Sequence, residues 1–290
     1  MPRDKSLQLE RHMRGKEEAR LLRDSQFAVI SFGKSGRTWL CVLLSRYYQL
    51  RYGLPANLLL QNDSMRALNR AIPQVLFTHD NYLRSYAAGL GAETPYAGSN
   101  VVLLARHPAD TAVSQFFQWK FRMKDRKRLI NAYPTIKDDL PLIDFVLGEE
   151  AGIPKIVRFM NQWASEFDKV KSIHIVRYET LRRETARTLG GVLEFMHETP
   201  TAQDLDQCVE FASVENMRKM EQDTFFRGVG DRMTPGDADN PDSFKVRRAK
   251  VGGYRDYFTA EEAARIDELV ARILSPAYGY GEAPPDPRVV

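Results

Sequence analysis

The chain has 290 residues, 43% of them hydrophobic, with 42 Lys and Arg against 38 Asp and Glu for a net charge of +4. That length supports one large α/β domain, and a charge this mild suits an anionic small molecule. With no zinc-ligand spacing, RNP-like sequence or basic heptad it excludes a nucleic-acid binder. Residues 1–25 alternate Lys, Arg, Glu and Asp with a few leucines, a charged N-terminal segment that reads as a surface helix of marginal stability. Short apolar, β-branched runs at Phe27 to Phe32, Val75 to Thr78, Val101 to Ala105 and Ile173 to Arg177 read as buried strands. Helical patterns at Trp39 to Tyr52, Ala109 to Met123, Pro154 to Phe167 and Leu181 to Met196 alternate with them, which predicts a parallel sheet with right-handed crossovers. Asn81 to Ser99 reads as an irregular connection and Gly228 to Ser243 as a mobile loop. No apolar run nears membrane-spanning length, and Cys41 and Cys208 read as buried thiols of a reducing compartment. A cytoplasmic protein with no membrane partner is predicted.

The first strand runs into Ser31-Phe32-Gly33-Lys34-Ser35-Gly36-Arg37-Thr38-Trp39 and then into a helix. Strand, glycine-containing turn, Lys, hydroxyl residues and helix N-terminus together present backbone N–H groups and a cation to a phosphate. The spacing is not that of a Walker A loop, because two residues rather than four separate the glycines and Lys34 precedes Gly36. A loop this short excludes a triphosphate cradle.

The third strand ends at Arg106-His107-Pro108, and Pro108 and Asp110 suit the first turn of the helix that carries Ser114. Arg106 and Ser114 can then close on one anion from two sides. The second strand ends in Thr78-His79, which places an imidazole at the carboxyl edge of a parallel sheet, where ligands bind in such folds. Near the C-terminus, Arg247-Arg248-Ala249-Lys250-Val251-Gly252-Gly253-Tyr254 forms a basic, glycine-containing loop before Phe258-Thr259.

These segments resemble, in order and over about Ile30 to Thr259, the motifs of PAPS-dependent sulfotransferases of the cytosolic type, a domain also found in bacteria. The Lys34 loop is similar to the family's PKSGTTW, and Arg106 to Ser114 to its Arg-x-Pro-x-Asp-x-x-x-Ser. Arg247 to Thr259 looks like RKGxxGDWKxxFT, and Thr78-His79 like KTH. The resemblance implies an α/β fold, a single P-loop-like domain with a central parallel sheet flanked by helices. That domain takes residues 26–275, leaving 276–290 as a C-terminal tail. It implies an enzyme moving the sulfuryl group of 3′-phosphoadenosine 5′-phosphosulfate (PAPS) to a hydroxyl or amine, with no metal. His79 becomes the general base and Lys34 the stabiliser of the leaving phosphate. Lys34, Ser35, Gly36, Arg37 and Thr38 hold the 5′-phosphate. Arg106, Ser114, Arg247, Arg248 and the Ala249 backbone N–H hold the 3′-phosphate, and Trp39 and Tyr178 pack near adenine.

Departures from the family pattern carry expectations of their own. Phe77 stands where the family has Lys, which removes a second cation on the acceptor side. Ala249 replaces Gly, tolerable only where positive φ is not needed. Arg37 replaces Thr, and Val214, in a stretch similar to SFxxMKxN, replaces a stacking Phe. The acceptor is expected to be a small molecule shaped by Asn81 to Ser99, Phe116 to Pro134 and Thr224 to Ser243. Phe116, Phe117, Trp119, Phe121 and Tyr133 favour a ring-bearing molecule, whereas Lys124, Arg126, Lys127 and Arg128 equally suit a saccharide or an acidic one. A homodimer stays open: Arg255 and Thr259 fit the family's KxxxTVxxxE motif, but Ala260 and Ala264 do not. A nucleotide-dependent kinase of related fold and a catalytically inactive PAPS binder are the alternative readings. The misfit loop weighs against the first, and Phe77 is the one hint of the second.

Overall fold

In a computed structural model, which describes residues 3–61, 64–135, 140–226, 233–281 and 285–290, four strands form one parallel sheet. The chain runs α1 (Arg3–Asp24), β1 (Phe27–Ser31), α2 (Arg37–Tyr52), β2 (Val75–Thr78), α3 (Leu83–Ala88), β3 (Asn100–Ala105) and α4 (Pro108–Phe121). It continues through α5 (Asp125–Ile130), α6 (Leu142–Leu147), α7 (Ile153–Ala164), β4 (Ser172–Arg177), α8 (Tyr178–Arg183) and α9 (Thr185–Phe195). It closes with α10 (Ala202–Phe211), α11 (Val214–Gln222) and α12 (Ala260–Ile273). The sheet order is β2-β1-β3-β4, with Phe27 in register with both Val75 and Asn100.

Every β1 residue is buried because the strand lies mid-sheet with helices on both faces. Val29 joins a core with Leu40, Leu43, Leu44 and Leu193 from α2 and α9. Ala28 and Ile30, pointing the other way, join Ala109, Ile156, Trp163 and Ile266 from α4, α7 and α12. Crossovers leave β1 toward β2 on one side and β3 on the other, so a crevice opens at the carboxyl ends of these strands. There the phosphate-type loop, His79 and Arg106 converge.

Two expectations are corrected. The helix predicted over Leu181 to Met196 is two helices: it begins at Tyr178, directly after β4, and breaks at Glu184, whose φ of −130° and ψ of 55° leave helical space. Asn81 to Ser99 contains α3 rather than being wholly irregular. The charged N-terminal segment forms the expected helix, and it is braced: Arg11 donates to the carbonyls of Ile130 and Asn81, and Glu10 pairs with Arg126. The loop predicted at Gly228 to Ser243 lies partly outside the described residues. Its described part is pinned, since Arg122 donates to the carbonyls of Thr234 (2.8 Å) and Ser243 (2.6 Å). Both residues matching the dimer motif are engaged within the chain, Arg255 with Asp267 and Thr259 as the capping-box residue of α12. Among the described residues no helix is long and apolar enough to cross a membrane.

Candidate active site

The turn from β1 to α2 owes its shape to two left-handed residues, Lys34 (φ 73°) and Gly36 (φ 97°). Gly36 is required twice, because a Cβ there would also lie 2.6 Å from Cδ2 of Tyr178. Burial lowers the Lys34 pKa to about 7, aided by the cations Arg122, Arg106 and Arg247 and opposed by Glu221.

His79 follows β2 and reaches across to β1. Its Nδ1 lies 2.9 Å from the carbonyl oxygen of Ser31 and 3.3 Å from the Ser31 hydroxyl. A carbonyl only accepts, so Nδ1 carries the proton and Nε2 is left with a lone pair. Burial foremost, then Arg37, Lys127 and Lys245, hold the imidazole well below its ordinary pKa against the pull of the Ser31 contact. The ring is therefore a neutral base at neutral pH. Below it, Asp80 (φ 54°) accepts from Tyr96 Oη at 2.9 Å and pairs with Arg84, which reaches Glu166 at 2.6 Å. This buried network fixes the end of β2.

Arg106 leaves β3 over the face of Tyr178, 4.3 Å from the ring centre, and donates to the Lys34 carbonyl at 3.1 Å. Its Nε is buried with no hydrogen-bond partner among the described residues. Arg247 stacks 3.7 Å over Phe117, and Arg248 reaches Asp256 at 2.5 Å. Two buried carboxylates hold this basic loop. Asp110 accepts from the N–H groups of Gly252 (2.7 Å) and Tyr254 (2.9 Å). Glu221 accepts from those of Lys245 (2.7 Å) and Val246 (3.0 Å) while pairing with Arg122 (3.0 Å). Ala249 has φ 51°, so the expectation that it avoids positive φ is overturned: the loop needs a left-handed residue there and the chain supplies a strained one. Trp39 is fixed by an Nε1–H bond of 2.8 Å to the Ala212 carbonyl and is covered by Arg182.

One cavity is lined by His79, Lys34, Gly36, Arg37, Thr38, Trp39, Arg106, Ser114, Tyr178, Arg247, Arg248 and Ala249. Ser35 is the predicted site residue left out: its side chain is buried beneath the loop beside Leu103 and Leu104. Phe77 packs into the α2-side core, while Lys127 and Lys245 bring cations to His79 from elsewhere. Of the acceptor-loop residues, Tyr133 and Lys127 line the cavity, whereas Phe116 and Trp119 are core beside Phe145. Sequence reading missed Arg182, Lys245 and the clamping carboxylate Glu221. Arg182 and Lys245 carry no motif; Glu221, whose side chain is fully buried, is signalled only as an acid on a helix.

The sequence model of the sulfotransferase domain family matches residues 97–276. Cytosolic sulfotransferase 17 of Arabidopsis thaliana is 24% identical over 273 residues, covering 86% of this chain and 74% of the relative. Cytosolic sulfotransferase 16 of the same plant is 26% identical over 269 residues, covering 86% and 75%. Among solved structures, mouse sulfotransferase SULT7A1 complexed with PAP is similar with a TM-score of 0.59 and 17% identity, covering 89% of this chain and 86% of that one. Retinol dehydratase in complex with androsterone and inactive cofactor PAP gives a TM-score of 0.56 at 16% identity, covering 85% and 79%. At these identities the structures speak for a shared fold.

Proposed function

The chain belongs to the sulfotransferase domain family, and from that premise we propose that it moves the sulfuryl group of PAPS to a hydroxyl of a small-molecule acceptor. The observation that carries the reading is a neutral imidazole with a bare Nε2 sharing one cavity with Lys34 and a two-sided cluster of arginines. The site suits a bisphosphorylated adenosine: Arg106 has an unsatisfied buried Nε, and the Gly36 turn brings backbone N–H groups to a helix N-terminus. Lys34, Gly36, Arg37 and Thr38 would hold the 5′ side, and Arg106, Ser114, Arg247, Arg248 and the Ala249 N–H the 3′-phosphate.

PAPS, when bound, supplies the sulfuryl group and an adenosine bisphosphate as leaving group. His79 Nε2 takes the proton that the acceptor hydroxyl loses as its oxygen bonds to sulfur. Lys34 holds positive charge toward the phosphate oxygen that gains the electron pair. The domain is taken as residues 26–275, with α1 and the C-terminal tail bracing it. The name cytosolic carried by the plant relatives supports a cytoplasmic setting.

Calorimetry with adenosine 3′,5′-bisphosphate and AMP tests the donor site. The bisphosphate should bind far more tightly, since each charge-assisted bond to the 3′-phosphate contributes roughly 1.5–3 kcal/mol. Equal affinities would overturn the assignment. Labelled-sulfate transfer then tests the base: His79→Ala should cut turnover about 10²–10⁴-fold while leaving bisphosphate affinity nearly intact.

A further inference from the structure

His79 stands one residue past the last rung of an outer strand. The ladder between β1 and β2 runs from Phe27 and Val75 to Ile30 and Thr78 and stops there. A base beyond the end of a ladder needs other groups to fix it, because a misplacement of about 1 Å can cost on the order of 10²-fold in rate. The Asp80 network is one such support. The helix α1 is a second. It meets the start of α3 at close range: a Cβ on Gly15 would lie 2.7 Å from the Tyr82 carbonyl oxygen and 2.5 Å from the Cβ of Tyr86. Arg11, four residues earlier and so on the same face, lies 5.5 Å from the Tyr82 ring centre. Its guanidinium is shared between two carbonyls, Nη2 donating to Asn81 at 3.1 Å and Nη1 donating to Ile130. Further along α1, Glu18 has its Oε2 buried with no hydrogen-bond partner among the described residues. Burial foremost, then Asp80, push the Glu18 pKa up to about 7, against the Leu83 N–H, the Thr78 hydroxyl and Arg37. Arg11 and Glu18 thus bracket His79, one bound two residues after it and the other facing Thr78 just before it.

We propose that α1 is a strap that positions His79, with Arg11 as the positioning residue: its two bonds hold the turn after β2 against the end of α5 and keep the Nδ1 proton on the Ser31 carbonyl, so that Nε2 serves the cavity. This rests on the reading of His79 as the base and adds to the same site a residue that belongs to no motif. His79, Asn81 and Asn131 line the cavity and Arg11 does not, so Arg11 acts on the chemistry only through the two segments it joins. An arginine suits the task because its planar fork serves two carbonyls in fixed directions, whereas an ammonium on a flexible stem is a point charge.

The test reads the His79 ring itself, by long-range ¹H–¹⁵N spectra of the full chain labelled at its five histidines, with His79→Gln assigning the signals. The wild type should show the Nδ1–H tautomer and titrate well below 6.5. Arg11→Met should populate both tautomers and raise the ring pKa by about one unit toward its ordinary value. Removing a cation raises a histidine pKa by itself, so Arg11→Lys separates the causes: the charge stays, the fork is lost, and the mixture of tautomers should persist. Glu10→Gln, which weakens the pairs of α1 with Arg14 and Arg126 but leaves the fork, should keep the wild-type spectrum. Affinity for adenosine 3′,5′-bisphosphate should stay within about twofold in every variant, which also shows that each is folded. If Arg11→Met does not fold, Arg11→Lys, which keeps a long stem and the charge, carries the test. A wild-type tautomer in Arg11→Lys would overturn the proposal, because the charge alone would then suffice. So would a Glu10→Gln spectrum as altered as that of the Arg11 variants, since α1 would then act merely by being docked. Failure of the wild type to bind the bisphosphate would instead overturn the sulfotransferase reading, while the His79 spectra would still decide what α1 does.

Discussion

In the proposed reaction Lys34 and His79 carry opposite protonation demands, and the fold lowers the pKa of both. Lys34, at about 7 in the free protein, must be protonated to meet phosphate, so kcat/KM for the donor should fall as pH rises above about 7. His79 must be unprotonated, and its pKa lies well below 6.5, so the acid limb should lie below that value too. Lys34→Arg, charged at any working pH, should lose the alkaline limb even where its absolute rate is lower. A limb unchanged in that variant would assign it to another group. Strain marks the same place: Lys34, Asp80 and Ala249 all have positive φ and lie in or beside the cavity. Ala249→Gly should stabilise the protein by about 0.5–1 kcal/mol, the left-handed penalty less the entropy glycine brings to the unfolded chain. Equilibrium denaturation measures it, and a destabilised variant would show that the Ala249 methyl packs favourably enough to outweigh its strain. The sequence named Lys34, His79 and Arg106 because each ends a strand or leads a turn that local chemistry can specify. The burial of Ser35, outside the cavity lining, was not legible, because nothing local says to which side of a turn a hydroxyl points.

Elements were legible where burial imposes a period and illegible where distant partners decide. The four strands stand within a residue or two of their apolar runs, because a mid-sheet strand needs little beyond continuous hydrophobicity. The helix α1 has little apolar face beyond Ala19, Leu21 and Leu22, and its docking also uses Arg11, which meets two carbonyls about seventy and more than a hundred residues away. The break at Glu184 is likewise a backbone event with no Pro or Gly to announce it. Asp110 combines both cases: it was read as a favourable first-turn acid, and the structure adds that it anchors the basic loop through two N–H groups. Asp110→Ala leaves those donors buried without partners, a cost of about 2–3 kcal/mol in stability. Because that loop also presents Arg247 and Arg248, bisphosphate affinity should fall by about tenfold or more, while AMP affinity changes little. Parallel losses for both nucleotides would mean that Asp110 supports the fold but not the 3′-phosphate site.

At the scale of the molecule, a four-stranded parallel sheet has two edges to protect, and β4 is closed by the chain's last residues. Val290 donates to the Ile175 carbonyl at 2.8 Å and accepts from the Arg177 N–H at 2.7 Å, while Ile175 N–H reaches the Arg288 carbonyl at 3.1 Å. Arg288 ties this short fifth rung to Asp168 and Asp286, both at 2.7 Å. The same edge is wired to the cavity. Arg177 donates to the Gly279 carbonyl at 2.8 Å and lies over Tyr280, whose hydroxyl meets Glu179 at 2.7 Å. Glu179 in turn accepts from the His107 N–H at 2.9 Å, next to Arg106. Deleting residues 285–290 should therefore cost about 4 kcal/mol, roughly 1 kcal/mol for each of the three backbone bonds to β4 and for the Asp286 N–H bond to the Ala277 carbonyl. It should also make the protein associate with concentration, since bare N–H and C=O groups of β4 offer a template for another edge. Arg288→Ala separates the causes: its ion pairs are partly exposed and contribute under about 1 kcal/mol, so that variant should stay near wild-type stability and monodisperse. Denaturation midpoints and light scattering on the two proteins decide the matter. If the point variant loses as much as the deletion, the tail acts through Arg288's charges and not by closing the sheet.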